Sequence, residues 1–481
     1  MQRLFYLILF TLLSLTLTAC ANFQDKPLNA ADSATRIEAR TLSDTGLRDF
    51  IDSVIGNKSG RLSEAWDIDR LTLAAIYYHP DLALARAQAE SMDAAVITAA
   101  QRPNPNINIS PTWISNLVTT VAPWIVASYI SIPIETAGKR GFRIDKSEHL
   151  IDAARLRIAD TAWLIRSRLR LAMLEVYAAR EAEQLLQQQL AIQQSISERL
   201  EQQLAIGEIT RPEVIRSHLA LNQLKLNLSA AQKRSAESRV LLAGAIGVPV
   251  SALAKIEFDF TRLAQPADLN LVPIAELRET ALRKRPDVLA ALADYAAAQS
   301  ALQLEIANQY PNIQANPGYT WEVGEHRWAL GATALSVPIL HQNQGPIAEA
   351  EAKRHELAAR FEALQLRILG DIDRVHAGLA AVLAKWQAAE QQMRTQQQNL
   401  HSAEAMFQAG ETDGLALLGA ELENAAAERA RLDILVETQQ ALNTLEDTLR
   451  YPIASRLTAA LISDSAMRNP IHHEDTKSTK K

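Results

Sequence analysis

Residue types that carry out reactions or hold metals are thinly spread along this chain of 481 residues, which has ten histidines and a single cysteine, Cys20. A lone thiol excludes a disulfide within one chain and a cysteine-rich metal site. His218 falls on the apolar face of a helical pattern, where packing or an interface explains it better than ligation. His472-His473-Glu474-Asp475 could hold a cation, but the stretch around them is polar and lysine-rich, so 456–481 reads as a disordered tail. Phosphate-binding and dinucleotide glycine fingerprints, His-Glu-x-x-His and Gly-x-Ser-x-Gly do not occur. The chain is therefore expected not to be an enzyme, with no catalytic residue, no metal and no cofactor.

Cys20 has a different use. Arg3 precedes an almost uncharged apolar run from Leu4 to Leu17, which ends in Leu17-Thr18-Ala19-Cys20. The run is a secretory signal over 1–19, and its end resembles the bacterial lipobox, in which the cysteine is acylated and becomes the mature N-terminus. Each buried CH₂ of such a lipid, palmitate included, contributes about 0.8 kcal/mol to membrane attachment. Residues 20–61 then form a lipid-anchored segment. Ala21, where an aspartate would retain a lipoprotein at the inner membrane, implies the outer membrane. The net charge of −6 and pI near 6.0 exclude a nucleic-acid surface. No later stretch approaches the 20 or so apolar residues of a membrane helix, so any crossing must be made by strands.

The prolines draw the elements. None lies between Pro133 and Pro212 or between Pro346 and Pro452. A proline costs a helix interior about 3 kcal/mol, so these gaps are where long helices fit. Leu186, Leu190, Ile196, Leu200 and Leu204 in the first gap, and Ile372, Val375, Leu379, Val382 and Trp386 in the second, recur at helical steps. Gly207-Glu208-Ile209-Thr210 breaks the first run, with Thr210 and Glu213 spaced as a capping box. Gly410-Glu411-Thr412-Asp413 breaks the second, with Asp413 as cap. Each run is thus a helical hairpin with a tight tip, and Gly370 and Gly378 should weaken or bend the second. The proline-rich clusters carry β-branched and aromatic residues, including Trp113, Trp124, Tyr129, Tyr319, Trp321 and Trp328, and read as strand hairpins over 106–134 and 312–340.

The two halves repeat. Pro80-Asp81 returns as Pro286-Asp287 and Pro105-Asn106-Ile107 as Pro311-Asn312-Ile313, both 206 positions on (286 − 80, 311 − 105). Ser131-Ile132-Pro133-Ile134 returns as Ser336-Val337-Pro338-Ile339, 205 on (336 − 131). A tandem duplication results, with repeats at 62–265 and 266–455, each a helix, a strand hairpin and a helical hairpin. Four strands cannot close a membrane barrel, whose smallest single-chain forms have eight, so other copies of the chain must complete it. Three would give twelve.

The duplicated Pro-Asp and Pro-Asn-Ile signatures, the Ser-Ile-Pro-Ile strand end and the two glycine tips resemble the TolC-type outer-membrane efflux proteins over about 62–453. The resemblance implies a mainly α fold with a small β part. Long helical hairpins would form a trimeric α-barrel in the periplasm, and four strands per chain would contribute to a 12-stranded transmembrane β-barrel. It implies a passive exit duct serving an inner-membrane pump through a periplasmic adaptor. Gly207, Glu208, Ile209, Thr210, Gly410, Glu411, Thr412 and Asp413 would be the adaptor-facing, gated tips, and Cys20 the lipid anchor in the outer membrane. Pro133 to Arg140 looks like the strand-to-helix junction of the heavy-metal cation branch; the plainer reading makes Lys139 and Arg140 anchors at the lipid headgroups. Some relatives ring their closed end with carboxylates, where this chain has Ala416 and Gly419. Two rival readings, a periplasmic adaptor and a structural coiled-coil lipoprotein without a pore, stay open at this point.

Overall fold

The computed structural model describes residues 23–55, 65–115, 123–266, 273–322, 324–333, 339–453 and 459–468. Two short helices, α1 (Ala30–Glu38) and α2 (Thr45–Ile55), come first. The first repeat runs α3 (Ile68–Tyr78), α4 (Pro80–Ala100), β1 (Asn106–Trp113), β2 (Trp124–Ile134), α5 (Lys139–Ala205) and α6 (Arg211–Ile246). The second runs α7 (Ile274–Lys284), α8 (Pro286–Ala307), β3 (Ile313–Glu322), β4 (Glu325–Thr333), α9 (Gln344–Gln408) and α10 (Gly414–Leu449). A final helix, α11, spans Ala459–Met467. The chain is mainly helical with one small sheet, as its proline distribution leads one to expect.

Each Pro-Asp landmark is a helix start. Pro80 and Pro286 stand in the first turns of α4 and α8, where the missing N–H has no intrahelical partner to lose. The proline-free gaps hold α5, of 67 residues, and α9, of 65. At about 1.5 Å per residue each is a rod on the order of 100 Å long. α9 continues through Gly370 and Gly378 without a break. A Cβ at either would meet nothing within 4 Å, so neither glycine serves a close packing contact.

The main core gathers where α3 packs on α5 and α6. Leu71, Ile76, Leu82, Trp163, Leu169, Met173, Leu242 and Ile246 are all buried there. A smaller cluster, with Leu277, Ile368, Ile372 and Leu445, repeats the arrangement around α7. α11 corrects the expectation of a disordered tail from 456 on. Its Ile462 and Ala466, one helical turn apart, are fully buried in the main core. The buried Arg86 guanidinium donates from Nε to the Ala466 carbonyl at 2.8 Å and from Nη2 to that of Ile76 at 3.2 Å. With carbonyls rather than a carboxylate facing it, burial pushes Arg86 down to about 10. The His472-His473-Glu474-Asp475 group, the signal segment with Cys20, and Ser336-Val337-Pro338 lie outside the described residues.

Candidate functional site

The four strands form one antiparallel sheet in the order β1-β2-β3-β4. Its register sorts side chains onto two faces, because successive residues of a strand point to opposite sides. Ile107, Ile109, Pro111 and Trp113 of β1 stand opposite Ile130, Ser128, Val126 and Trp124 of β2. Val126 and Ser128 meet Trp321 and Tyr319 of β3, which meet His326 and Trp328 of β4. That face is almost wholly apolar. The other is mainly polar, carrying Asn106, Asn108, Ser110, Thr112, Ser131, Gln314, Asn316, Thr320, Glu322, Glu325 and Arg327, with Ile125, Ala127, Tyr129 and Ala329 among them. Arg327 bridges Glu322 at 3.1 Å and Glu325 at 3.4 Å. The apolar face is open: Ile107 is 72% exposed, Trp328 82% and Leu330 85%. Trp113 and Trp124 meet edge to face at 4.8 Å, and Tyr319 and Trp328 are tilted against each other at 4.9 Å, all toward the hairpin ends. One apolar face, one polar face and a rim of aromatics is the pattern of a strand set between lipid and a water-filled lumen. β1 and β4 are free edges, and in lipid each unpaired backbone group costs several kcal/mol.

At the far ends of the long helices, the two tips have the same backbone. Gly207 and Gly410 take φ of 79° and 74°, the left-handed region that favours glycine. The Glu208 N–H donates to the Gln203 carbonyl and that of Glu411 to Met406, both at 2.9 Å, closing matching helix ends. The following helices start at Thr210 and Asp413. Asp413 accepts from the Ala416 N–H at 2.8 Å, whereas the Thr210 side chain makes no capping bond. Its Glu213 N–H bonds to the Thr210 carbonyl instead, so the capping-box spacing marks the helix start without forming the box. Of the eight tip residues, Ile209 and Thr412 are half-buried and the others exposed. The first four lie together on one turn and the last four on the other. Gly414 lies close against Arg199 of α5, so that a Cβ there would clash with the guanidinium.

Between sheet and tips, α5 and α10 are joined by a buried ionic cluster that motif reading missed. Glu446 of α10 accepts from Arg166 at 2.8 Å and Arg170 at 3.2 Å, both on α5, with all three side chains under one-tenth exposed. Its other oxygen accepts the Ile453 N–H at 2.7 Å. Arg170 also donates to Gln439 at 3.0 Å, whose amide nitrogen reaches the carbonyls of Leu263 and Gln265. Burial pulls Arg170 below its ordinary value, with Glu446 opposing. Nearby, Asp160 is raised by burial while Arg450, 2.8 Å away, opposes the shift. The sequence held one signal: Arg166 and Arg170 lie on the apolar stripe that runs from Trp163 to Met173. Charges on such a stripe require a buried partner, but nothing local points to Glu446.

The junction after β2 also differs from its plainer reading. Lys139 is buried rather than set among headgroups, donating to the Tyr310 carbonyl at 2.6 Å and to Asn312 Oδ1 at 2.7 Å. Thr136 Oγ1 donates to the Pro311 carbonyl at 2.7 Å. Arg140 donates to the Ala100 carbonyl, and Arg143 to that of Ala99 and to Glu135. Lys139 and Thr136 thus fasten the first repeat's junction to the start of β3 in the second, the ammonium's three donors satisfying acceptors at the strand end, while Arg140 and Arg143 fasten it to α4 of its own repeat. His218, read as a packed or interface residue, is exposed in the single chain and bonds Glu201 at 2.7 Å across its own hairpin. Among the described residues no group of three or more His, Cys, Asp or Glu could hold a metal ion, and no helix is long and apolar enough to cross a membrane.

Comparison with known proteins agrees with this geometry. A family profile described as "Outer membrane efflux protein" matches residues 74–248 and 277–449. The cobalt-zinc-cadmium resistance protein CzcC of Cupriavidus metallidurans is 22% identical over 373 residues, covering 77% of this chain and 86% of that protein. The pyoverdine export outer membrane protein OpmQ of Pseudomonas aeruginosa is 28% identical over 297 residues, 60% of this chain and 58% of that one. Among solved structures, the Campylobacter jejuni CmeC outer membrane channel superposes with a TM-score of 0.64 at 14% identity, covering 94% of this chain and 98% of that one.

Proposed function

Because this chain belongs to the outer membrane efflux protein family, we propose that three copies join edge to edge, close twelve strands in the outer membrane and open a passive duct through the periplasm. The chain is an outer-membrane efflux component. The observation that carries the oligomeric reading is the sheet itself, apolar on one face, polar on the other and open at both edges. In lipid such a sheet must be completed, and this chain supplies four strands to that end. The rival readings of an adaptor or a pore-less coiled coil give no reason for these strands.

The finer parts are proposals of the same kind. The tips at Gly207-Glu208-Ile209-Thr210 and Gly410-Glu411-Thr412-Asp413 face the periplasmic adaptor and form the gated end, supported by their exposure and matched backbone. A lipid on Cys20 anchors the N-terminus beside the barrel. The relatives' names speak of different cargoes, metal cations for CzcC and pyoverdine for OpmQ, so the pump rather than the duct selects what passes. Purified protein in a planar bilayer tests the channel: discrete openings from trimers are expected, and absence of both conductance and trimers overturns it. Deleting the gene and exposing cells to cobalt, zinc or cadmium salts tests the metal branch. Unchanged tolerance to all three removes it.

A further inference from the structure

The duplication gives the chain two versions of one corner, and the first lacks the cations that close the second. In each repeat a short helix turns through Pro-Asp into the next, and the end of the returning helix meets that turn. In the second repeat the turn is Arg285-Pro286-Asp287, and α10 ends at Arg450 in the left-handed region (φ 50°). Arg285, 7% exposed, donates from Nη1 to the Thr448 carbonyl, while its Nε and Nη2 hold Asp287 at 3.0 and 2.7 Å. Arg450 donates from Nε to Asp160 of α5 at 2.8 Å and from Nη1 to Asp447. Two guanidinium groups thus close this corner.

The first repeat has neither arginine. Offsets of 206 (285 − 79) and 203 (450 − 247) put His79 at the place of Arg285 and Gly247 at that of Arg450. Burial holds the His79 imidazole below its ordinary value of 6.5, and its Nδ1 accepts from the Asp81 N–H at 3.2 Å, so it is neutral at pH 7. Gly247 takes φ 87°, and a Cβ there would stand 3.0 Å from the Tyr78 carbonyl oxygen and 3.1 Å from the His79 Cα, which closes that place to a side chain. A guanidinium is present all the same, from outside the repeat. Arg40, between α1 and α2, donates from Nη1 to the Tyr78 carbonyl at 3.0 Å and to that of Gly247 at 2.7 Å. Its guanidinium carbon lies 5.5 Å from the centre of the Tyr78 ring, whose hydroxyl donates to the Thr41 carbonyl at 2.9 Å. Both acceptors of Arg40 stand at helix C-termini, those of α3 and α6, where carbonyls lack intrahelical partners and a cation is favoured. Among the described residues α1 buries no side chain, and the first buried one is Leu42.

We propose that the N-terminal segment has a second job besides anchoring. Through Arg40 it supplies the guanidinium that locks the α3–α4 corner against the end of α6, as Arg285 locks the corresponding corner of the second repeat against the end of α10. The first repeat is then complete only from Arg40 onward. The lock does not depend on the channel reading and holds in a chain that forms no pore.

Hydrogen exchange on the full-length protein in detergent, read in peptides covering 74–84 and 241–248, tests the lock. Arg40→Ala should speed exchange there about tenfold, the factor that losing one charge-assisted bond converts to, and should leave peptides around Arg285 unchanged. Adding His79→Arg to Arg40→Ala should restore protection. Asp81 stands where Asp287 does, and Ala245 presents its carbonyl where Thr448 does (448 − 203). Deleting Phe23–Glu38, which removes α1 and keeps Arg40, should leave the corner closed. If Arg40→Ala does not accumulate, recovery of folded protein by the double variant supports the lock, and failure of both overturns it. Full protection in Arg40→Ala also overturns it. So does a double variant as open as the single one, because a guanidinium at the place of Arg285 would then not replace Arg40. A corner opened by the α1 deletion alone would move the effect to the rest of the segment and remove Arg40 from the role.

Discussion

Glu446→Ala should be among the most destabilising single changes in the chain. The carboxylate is 1% exposed and neutralises two guanidinium groups that are 3% and 8% exposed, while its second oxygen accepts the Ile453 N–H. Removing it leaves two buried cations without a counter-charge and one amide without an acceptor. Breaking a buried pair in this way costs about 3–5 kcal/mol, a shift of roughly two to three and a half orders of magnitude in the folding equilibrium at tenfold per 1.4 kcal/mol. Replacing the whole cluster, with Arg166→Met, Arg170→Met and Glu446→Leu together, removes the charges along with their desolvation penalty. It should cost far less, about 1 kcal/mol of that being the lost contact of Arg166 over the Trp163 ring. Urea unfolding in detergent at fixed protein concentration, followed by helical circular dichroism, measures both. A Glu446→Ala loss under about 1 kcal/mol, or a triple variant as unstable as the single one, would show that the cluster does not hold α5 to α10.

Valine at Gly207 or Gly410 should cost about 1–2 kcal/mol locally, since both take positive φ while a Cβ at either meets nothing within 4 Å. Trimers should survive and adaptor binding, measured by pull-down of the purified partner, should weaken; equal binding by both variants would remove the tips from the docking surface. Arg143 beside Glu135 holds that carboxyl below its ordinary value of 4.5, chiefly through their hydrogen bond. A depressed folded-state value means the stabilisation is complete above the ordinary carboxylate range and is lost as pH falls through the folded value. Glu135→Gln should therefore melt below the wild type at neutral pH and converge with it in acid. A gap that persists undiminished at low pH would refute the assignment.

The long helices, the sheet and the two glycine turns were legible because they rest on local rules: proline exclusion, strand alternation and left-handed glycine. α11 was not, because nothing local marks its Ile462 and Ala466 as core residues until α3 and α5 supply the surface they cover. Lys139 misled for a related reason. A lysine beside a predicted membrane strand has a simple local explanation at the headgroups, whereas its true partners, Tyr310 and Asn312, stand more than 170 residues away. Glu446 lies 280 positions from Arg166. Only the apolar stripe on which Arg166 and Arg170 sit hinted that such a partner existed.

The same helix changes character along its length, and the change bears on the proposed gated end. Near the core α5 buries Ile158, Trp163, Leu169 and Met173, but beyond Leu186 its buried positions are Gln189, Gln193 and Ser197. Gln193 donates to Ser217 Oγ at 2.9 Å, and the hydroxyls of Ser197 and Ser217 lie 2.6 Å apart across the hairpin. A seam of neutral hydrogen bonds adds about 1 kcal/mol net for each, while a buried leucine or methionine adds about 1.5–3. The tip half of the hairpin therefore holds its register through directional bonds with little apolar burial behind them, so it should open at lower cost than the core half. Regions with few buried apolar contacts exchange their amide hydrogens first. Hydrogen exchange followed by mass spectrometry should accordingly show faster uptake in peptides from 189–217 than in those from 158–176. Replacing Gln193 and Ser217 by leucine and alanine should slow it, and also slow any opening that requires the tips to part. Equal protection along the whole of α5 would mean that the polar seam is as firm as the core, and the tips would need some other source of mobility.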